Sequence, residues 1–236
     1  MGDLLVLWDV DGTLLDAGGV GGDLYETVFA QLFGCTLEAF APMAGRTDRA
    51  IILQTLEMAG IREPRRYVDH FICGLSAHAQ SVRETVAGRG RALPGASAAL
   101  AALGGPGKFG RVRQSVLTGN VRPLAEVKLA ALGLRDRLDL CIGAYGDDHE
   151  ARTELVHVAR RRAAAVHGRL PGDFGGTATV VIGDTPLDIE AALATGARAV
   201  GVATGSYPAS ALAEAGAHVV LQDLTDTGKV MRALLA

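Results

Sequence analysis

Two aspartates, two residues apart, follow an unbroken apolar run: Leu4-Leu5-Val6-Leu7-Trp8, then Asp9-Val10-Asp11-Gly12-Thr13. Paired carboxylates at the end of a core segment are costly unless a cation or a proton offsets their charge, so the pair points to chemistry. Two further strand-like runs end in polar groups. Val112 to Leu117 runs into Thr118-Gly119-Asn120, and Thr179 to Ile182 runs into Gly183-Asp184-Thr185-Pro186-Leu187-Asp188. Carboxylates at Asp9, Asp184 and Asp188 form an oxygen-only set suited to a hard divalent ion such as Mg2+. Such an ion would neutralise the acids and clamp a phosphate oxygen. Thr118 can donate its hydroxyl to a second phosphate oxygen, and the backbone amides of Gly119 and Asn120 can bind another.

These groups can meet only if the runs that carry them lie side by side. Leu4 to Trp8 is too short for a helix and apolar on both faces, as a strand of a parallel sheet is. From residue 92 onward, strand and helix patterns alternate: strands at 112–117, 138–142, 179–182, 199–202 and 218–221, with helices between them. That alternation implies a parallel α/β sheet with right-handed crossovers, whose strand ends open on one edge. Gly104-Gly105-Pro106-Gly107 breaks the Ala-rich helix before the second strand. Residues 17–90 contain no core strand. After a glycine-rich loop at 16–22 they predict helices near 23–33, 48–58 and 63–86. The expected architecture is a Rossmann-like core, residues 1–16 and 91–236, interrupted by an α-helical domain, residues 17–90.

Asp9-Val10-Asp11-Gly12-Thr13 resembles the first motif of the haloacid dehalogenase-like (HAD) hydrolases, and Gly183 to Asp188 resembles their fourth, GDxxxD. The resemblance implies a Mg2+-dependent phosphatase acting through an aspartyl-phosphate. In that reading Asp9 attacks phosphorus, and Asp11 protonates the leaving alcohol and then activates water. Asp9, the Asp11 carbonyl and Asp184 hold the metal, with Asp188 as a ligand or a water-bridged partner. Thr118 matches the second motif. The third motif is usually a lysine, and Glu150 to Leu155 contains none; Arg152 is the candidate to replace it, binding phosphate with Thr118, Gly119 and Asn120. Lys128 competes, but its place inside the helix after Thr118 predicts a surface residue. The helical segment resembles the family's cap, which closes over the site and excludes water. Ala44-Gly45-Arg46-Thr47 within it resembles the substrate-reaching loop of phosphoglycolate-phosphatase-like members, so Arg46 could pair with an anionic leaving group. A phosphomutase of the beta-phosphoglucomutase type would use the same residues with a sugar as acceptor. A non-catalytic small-molecule binding protein would be expected to have lost an acid. A dehalogenase needs neither Asp11 nor the metal.

Composition narrows the partners. The 236 residues are 49% hydrophobic and 21% charged, with a net charge of -3. That balance predicts a globular chain and gives no electrostatic case for nucleic acid or a membrane surface. The resemblance to capped HAD members implies a small phosphorylated metabolite as its partner, with the chain a monomer or homodimer. No apolar stretch reaches the ~20 residues of a membrane span, and the first residues lack a signal peptide's basic region. Cys35, Cys73 and Cys141 are odd in number and far apart, which predicts buried reduced thiols in a cytoplasmic protein. Asp147-Asp148-His149-Glu150 reads as a solvated acidic loop, and Arg160-Arg161-Arg162 as a solvated helix face.

Overall fold

The computed structural model describes residues 3–104 and 112–235. Its strands, in chain order, are β1 (Leu4–Trp8), β2 (Leu15–Asp16), β3 (Arg91–Ala92), β4 (Val112–Val116), β5 (Thr179–Gly183), β6 (Arg198–Val202) and β7 (Val219–Leu221). Five of them form one parallel sheet in the order β4-β1-β5-β6-β7. β1 is an inner strand, flanked by β4 and β5, which explains why every residue from Leu5 to Trp8 is fully buried. Its alternate side chains enter two different cores. Val6 and Trp8 join Val180, Ile182 and Val200 on one face. Leu5 and Leu7 join Val181 and Ala199 on the other. Each such fully buried aliphatic side chain is worth about 1.5–3 kcal/mol.

Helices cover both faces. α1 (Val20–Phe33), α2 (Asp48–Met58), α3 (Val68–His78) and α4 (Arg83–Arg89) fall between β2 and β3; α5 (Ala96–Leu103), α6 (Arg122–Ala131), α7 (Arg152–His167), α8 (Pro186–Ala194), α9 (Ala209–Glu214) and α10 (Thr227–Leu235) belong to the alternating part. Leu100, Leu124 and Val230 of α5, α6 and α10 pack on the Trp8 face, and Leu155, Ile189 and Leu212 of α7, α8 and α9 on the Leu7 face. The chain enters and leaves the α1–α4 segment through β2 and β3, which pair antiparallel, Leu15 with Ala92 and Asp16 with Arg91. An Arg91–Asp16 ion pair of 2.8 Å crosses that two-stranded ribbon. Leu24, Ile52 and Phe71 from α1, α2 and α3 are contiguous with the Trp8-face core.

Several expectations are corrected. Residues 138–142 form turns, not a strand. The Asp139 carboxylate accepts the Cys141 amide at 3.1 Å and so bends the chain locally. Sheet-like contact there is reduced to an isolated Leu117–Ala144 bridge. The glycine-rich loop ends sooner than its composition suggests: Gly21 and Gly22 lie inside α1, which starts after Gly19 in the left-handed conformation at φ 85°. The helix expected over 63–86 is divided into α3 and α4 by a 3-10 turn at Ala79–Val82, which lets Ala79, Val82 and Val86 all turn inward. All three cysteines are exposed; Cys73 sits on α3 opposite its buried stripe of Val68, Phe71, Ile72 and Leu75. The arginine run is not one solvated face, because consecutive helix residues point about 100° apart. Arg160 is buried, with its Nε donating to Thr179 Oγ1 at 3.0 Å, and Arg162 pairs with Asp148 at 2.6 Å. The Gly105-Pro106-Gly107 break lies outside the described residues. Among the described residues, no helix is long and apolar enough to cross a membrane.

Candidate active site

β1 ends with its ladder intact: the Asp9 amide donates to the Ile182 carbonyl at 2.8 Å and the Leu117 amide to the Trp8 carbonyl at 2.8 Å. Asp9 is therefore held between the ends of β4 and β5. The chain then folds back, with Leu14 and Leu15 amides both donating to the Val10 carbonyl. Gly12 makes the turn at φ 82°, and a Cβ there would strike the Asp184 carboxylate. Glycine is required on both counts.

Parallel strand ends bring the predicted acids together. Ligand oxygens of Asp9, Asp184 and Asp188 all lie within 4.8 Å of one another. Asp184 Oδ1 accepts the Thr13 hydroxyl at 3.1 Å. Asp188 is used twice over in a capping box at the start of α8: its Oδ2 accepts the Thr185 amide and hydroxyl at 3.1 and 2.7 Å, while Thr185 Oγ1 accepts the Asp188 amide. Its other oxygen accepts from Arg152 Nε at 3.0 Å.

Arg152 opens α7 and points inward. Its Nη2 lies 2.9 Å from Asp9 Oδ1 and also donates to the Leu117 carbonyl at 3.3 Å. Burial opposes the guanidinium's charge, but Asp188 and Asp9 outweigh it and hold the group protonated more firmly than usual. The acids show the converse. Burial raises Asp9 well above the ordinary carboxylate range, opposed by Arg152 and reinforced by the charges of Asp188 and Asp184. Burial and Asp188 push Asp184 up to about 7. One guanidinium thus leaves the three carboxylates short of positive charge. A hard divalent cation fits this all-oxygen donor set and would supply what is missing.

Lys128 corrects the sequence reading. It is 4% exposed, not a surface residue. Its Nζ donates to both Asp11 oxygens at 3.0 and 2.8 Å and to Asn120 Oδ1 at 2.7 Å. Asn120 Nδ2 donates in turn to Asp11 Oδ2 at 2.6 Å and to Thr118 Oγ1 at 2.8 Å. Arg152 and Lys128 therefore do not compete for one place: the first holds Asp9, the second Asp11. The available signal was spacing. Lys128 stands four residues after Leu124, on the inward stripe of α6.

The remaining candidates are placed as follows. Gly119 lies against the loop before α2, where a Cβ would overlap the Arg46 carbonyl. Arg46 borders the site, but its guanidinium donates to the Pro42 carbonyl at 3.1 Å, Gln54 Oε1 at 2.6 Å and the Ala50 carbonyl at 3.2 Å, all within its own segment. Thr47 caps α2, accepting the Ala50 amide and donating to the Glu150 carbonyl at 2.7 Å. The loop at 147–150 is structural rather than solvated: Asp147 accepts the Arg122 amide at 3.0 Å, and Asp148 accepts the Tyr145 amide at 2.9 Å beside Arg162. Sequence reasoning also missed Asp48. It is buried, accepts the Val121 amide at 2.7 Å and the Tyr25 hydroxyl at 2.8 Å, and its own amide donates to the Gly119 carbonyl at 2.7 Å. Burial pushes its carboxyl up to about 6, against the pull of those two donors.

A cavity of about 600 Å3 opens over Asp9, Asp11, Thr118, Asn120 and Asp184 and extends to the α1–α4 segment.

The sequence profile of the haloacid dehalogenase-like hydrolases matches residues 6–193. No curated protein sequence matches the chain. Solved structures share the fold. A hydrolase from Pseudomonas syringae is 23% identical, with 99% of each chain covered and a TM-score of 0.64. A protein from Bacteroides vulgatus, provisionally titled a beta-phosphoglucomutase, is 19% identical over 99% of this chain and 89% of its own, with a TM-score of 0.64. A predicted phosphatase from Clostridium acetobutylicum is 19% identical over 98% and 100%, with a TM-score of 0.63. With the profile spanning both acidic strand ends, the chain belongs to the haloacid dehalogenase-like hydrolase family.

Proposed function

We propose that this chain is a Mg2+-dependent phosphatase that hydrolyses a small-molecule phosphomonoester through an aspartyl-phosphate on Asp9. The observation that carries the reading is the division of labour between two buried cations: Arg152 on Asp9 and Lys128 on Asp11. A nucleophile needs a fixed, ionised carboxylate, and a general acid two residues on needs a separate anchor. Asp9, the Asp11 carbonyl and Asp184 would hold the metal, with Asp188 behind them because both its oxygens are already engaged. Bound there, Mg2+ would neutralise the acids and polarise a phosphate oxygen.

In the first step an Asp9 oxygen bonds to phosphorus, the ester P–O bond breaks, and the leaving oxygen takes the proton from Asp11. In the second, water gives a proton to Asp11 as its oxygen bonds to phosphorus, and the Asp9–phosphorus bond breaks to free phosphate. Arg152, the Thr118 hydroxyl and the amides of Gly119 and Asn120 receive the phosphoryl oxygens. Residues 17–90 act as a cap hinged at the β2–β3 ribbon, with 1–16 and 91–236 as the core. The three exposed thiols suit a reducing compartment such as the cytoplasm.

Phosphate release from p-nitrophenyl phosphate should require Mg2+, stop with EDTA and be abolished by Asp9→Asn. Absence of metal-dependent release from this ester and from a panel of phosphorylated metabolites would overturn the reading. Product analysis with a sugar phosphate separates hydrolysis from phosphoryl return to the sugar.

A further inference from the structure

The cavity over Asp9 is larger than a phosphate needs, and its size falls within the roughly 300–1,000 Å3 that hold drug-sized ligands. Resting on the phosphatase reading, we infer that the alcohol released is uncharged and largely apolar: the substrate is the phosphate ester of a bulky neutral alcohol or phenol.

The charges around the cavity carry the first half of this inference. Four cations border it, and each already has a partner within the chain. Arg152 and Lys128 serve the phosphate end, on Asp9 and Asp11. Arg91 is paired with Asp16. Arg46 spends Nη donors on Pro42, Ala50 and Gln54. A second anionic group on the substrate could reach only Nε and one Nη2 hydrogen of Arg46, because its other donors hold two backbone carbonyls and Gln54. It would also face the carboxylates of Asp16 and Asp48, which line the same space. Like charges lining a site disfavour an anionic ligand. The N-terminus of α1 borders the cavity as well, but Asp23 stands in its first turn and Asp16 just before it.

The walls carry the second half. Val20, Phe40, Met43, Ile51 and Leu93 also line the cavity. Phe40 is 38% exposed, a large aromatic left partly uncovered at a cavity wall. The Tyr25 ring, also on the lining, lies 6.4 Å from it centroid to centroid. A half-covered aromatic gains by being covered with an apolar ligand group.

The test is binding and turnover by the Mg2+-loaded protein. Calorimetry compares two non-hydrolysable phosphonates, 1-naphthylmethylphosphonate and phosphonoacetate, and kinetics compares 1-naphthyl phosphate with 2-phosphoglycolate. The naphthyl compounds should be preferred by about tenfold or more in both readouts. A Phe40→Ala/Met43→Ala variant, checked for its fold by circular dichroism, should lose most of that preference. Equal or tighter binding of phosphonoacetate, or an unchanged preference in the variant, would overturn the inference. No turnover of any ester would remove the phosphatase reading and the released alcohol with it, whereas turnover without a naphthyl preference would overturn this inference alone.

Discussion

A single side chain decides what Asp11 can do. Lys128 grips both of its oxygens and Asn120 donates to one of them, so the carboxylate is fixed in direction before any substrate arrives. Fixing a general acid is a contribution to the transition state more than to substrate binding. Lys128→Met should therefore lower kcat about a hundredfold with KM changed far less. A fall in kcat/KM carried by KM alone would assign Lys128 to binding. Arg152 differs, because it joins Asp9, Asp188 and the Leu117 carbonyl with a planar fork. Arg152→Lys supplies charge without the fork, so it should recover only part of what Arg152→Ala loses.

The acids at the metal site make a prediction about pH. Burial raises Asp9, and burial with Asp188 pushes Asp184 up to about 7, whereas an unfolded aspartate titrates near about 4. A folded value above the unfolded one gives stability that is present below about pH 4 and lost as pH climbs toward about 7. On the metal reading proposed above, Mg2+ would bind the ionised acids and so act where that loss is complete. Thermal melts should show a larger Mg2+-induced rise at pH 8 than at pH 5, and no Mg2+-induced rise at either pH with EDTA in excess. An equal rise at both pH values would speak against Asp9 and Asp184 as its ligands.

Among the elements, the loop from Gly45 to Arg49 is the contact that matters. It bonds to backbone of the alternating part through the Asp48 amide on Gly119, the Thr47 hydroxyl on Glu150 and Arg49 Nε on Asp147 at 2.8 Å. Asp48 adds the Val121 amide. Asp48→Ala would leave that amide buried without a partner, at about 1–3 kcal/mol, and reduce the Tyr25 hydroxyl to its long 3.4 Å bond with the backbone carbonyl of residue 48. The variant should melt several degrees lower, and Asp48→Asn should recover part of the loss because its carbonyl oxygen can still accept. Equal melting temperatures for wild type and Asp48→Ala would mean that the loop carries no stability. This contact was not legible in the sequence, although its neighbours were. Asp9, Asp11 and Asp184 announce themselves because an apolar run precedes each and positions the acid at a strand end. Asp48 and Lys128 are acid and base inside amphipathic helices, where the same residue types ordinarily face water. Only the position of Lys128 four residues after Leu124 betrays it, and only the packing partner on the other segment reveals Asp48. The strand expected at 138–142 failed for a related reason: apolar content was present and the Asp139 amide does reach Gln114 of β4, but the Asp139 carboxylate then takes the Cys141 amide and turns the chain away.

At the scale of the molecule, the α1–α4 segment is tied to the sheet at three places of different strength. Its packed side chains are continuous with the Trp8-face core, its two chain crossings pair as the β2–β3 ribbon, and its Gly45–Arg49 loop holds the rim of the cavity. On the phosphatase reading proposed above, the site must admit its ester and exclude water during transfer, so one of these ties would have to open. The loop is the one built from a handful of hydrogen bonds, and it lies directly on the Thr118-Gly119-Asn120 turn that would receive phosphate. Opening there would expose the amides of Asp48, Arg49 and Val121, which otherwise donate to Gly119, Gly146 and the Asp48 carboxylate. Hydrogen exchange reads this directly. In the free protein those three amides should exchange faster than those of Leu117 and Asp9, which sit in the ladders beside β1. Mg2+ together with a non-hydrolysable phosphonate should slow the three and leave the ladder unchanged. If the three are already as protected as the ladder in the free protein, the segment is a fixed wall, and substrate must enter by another route.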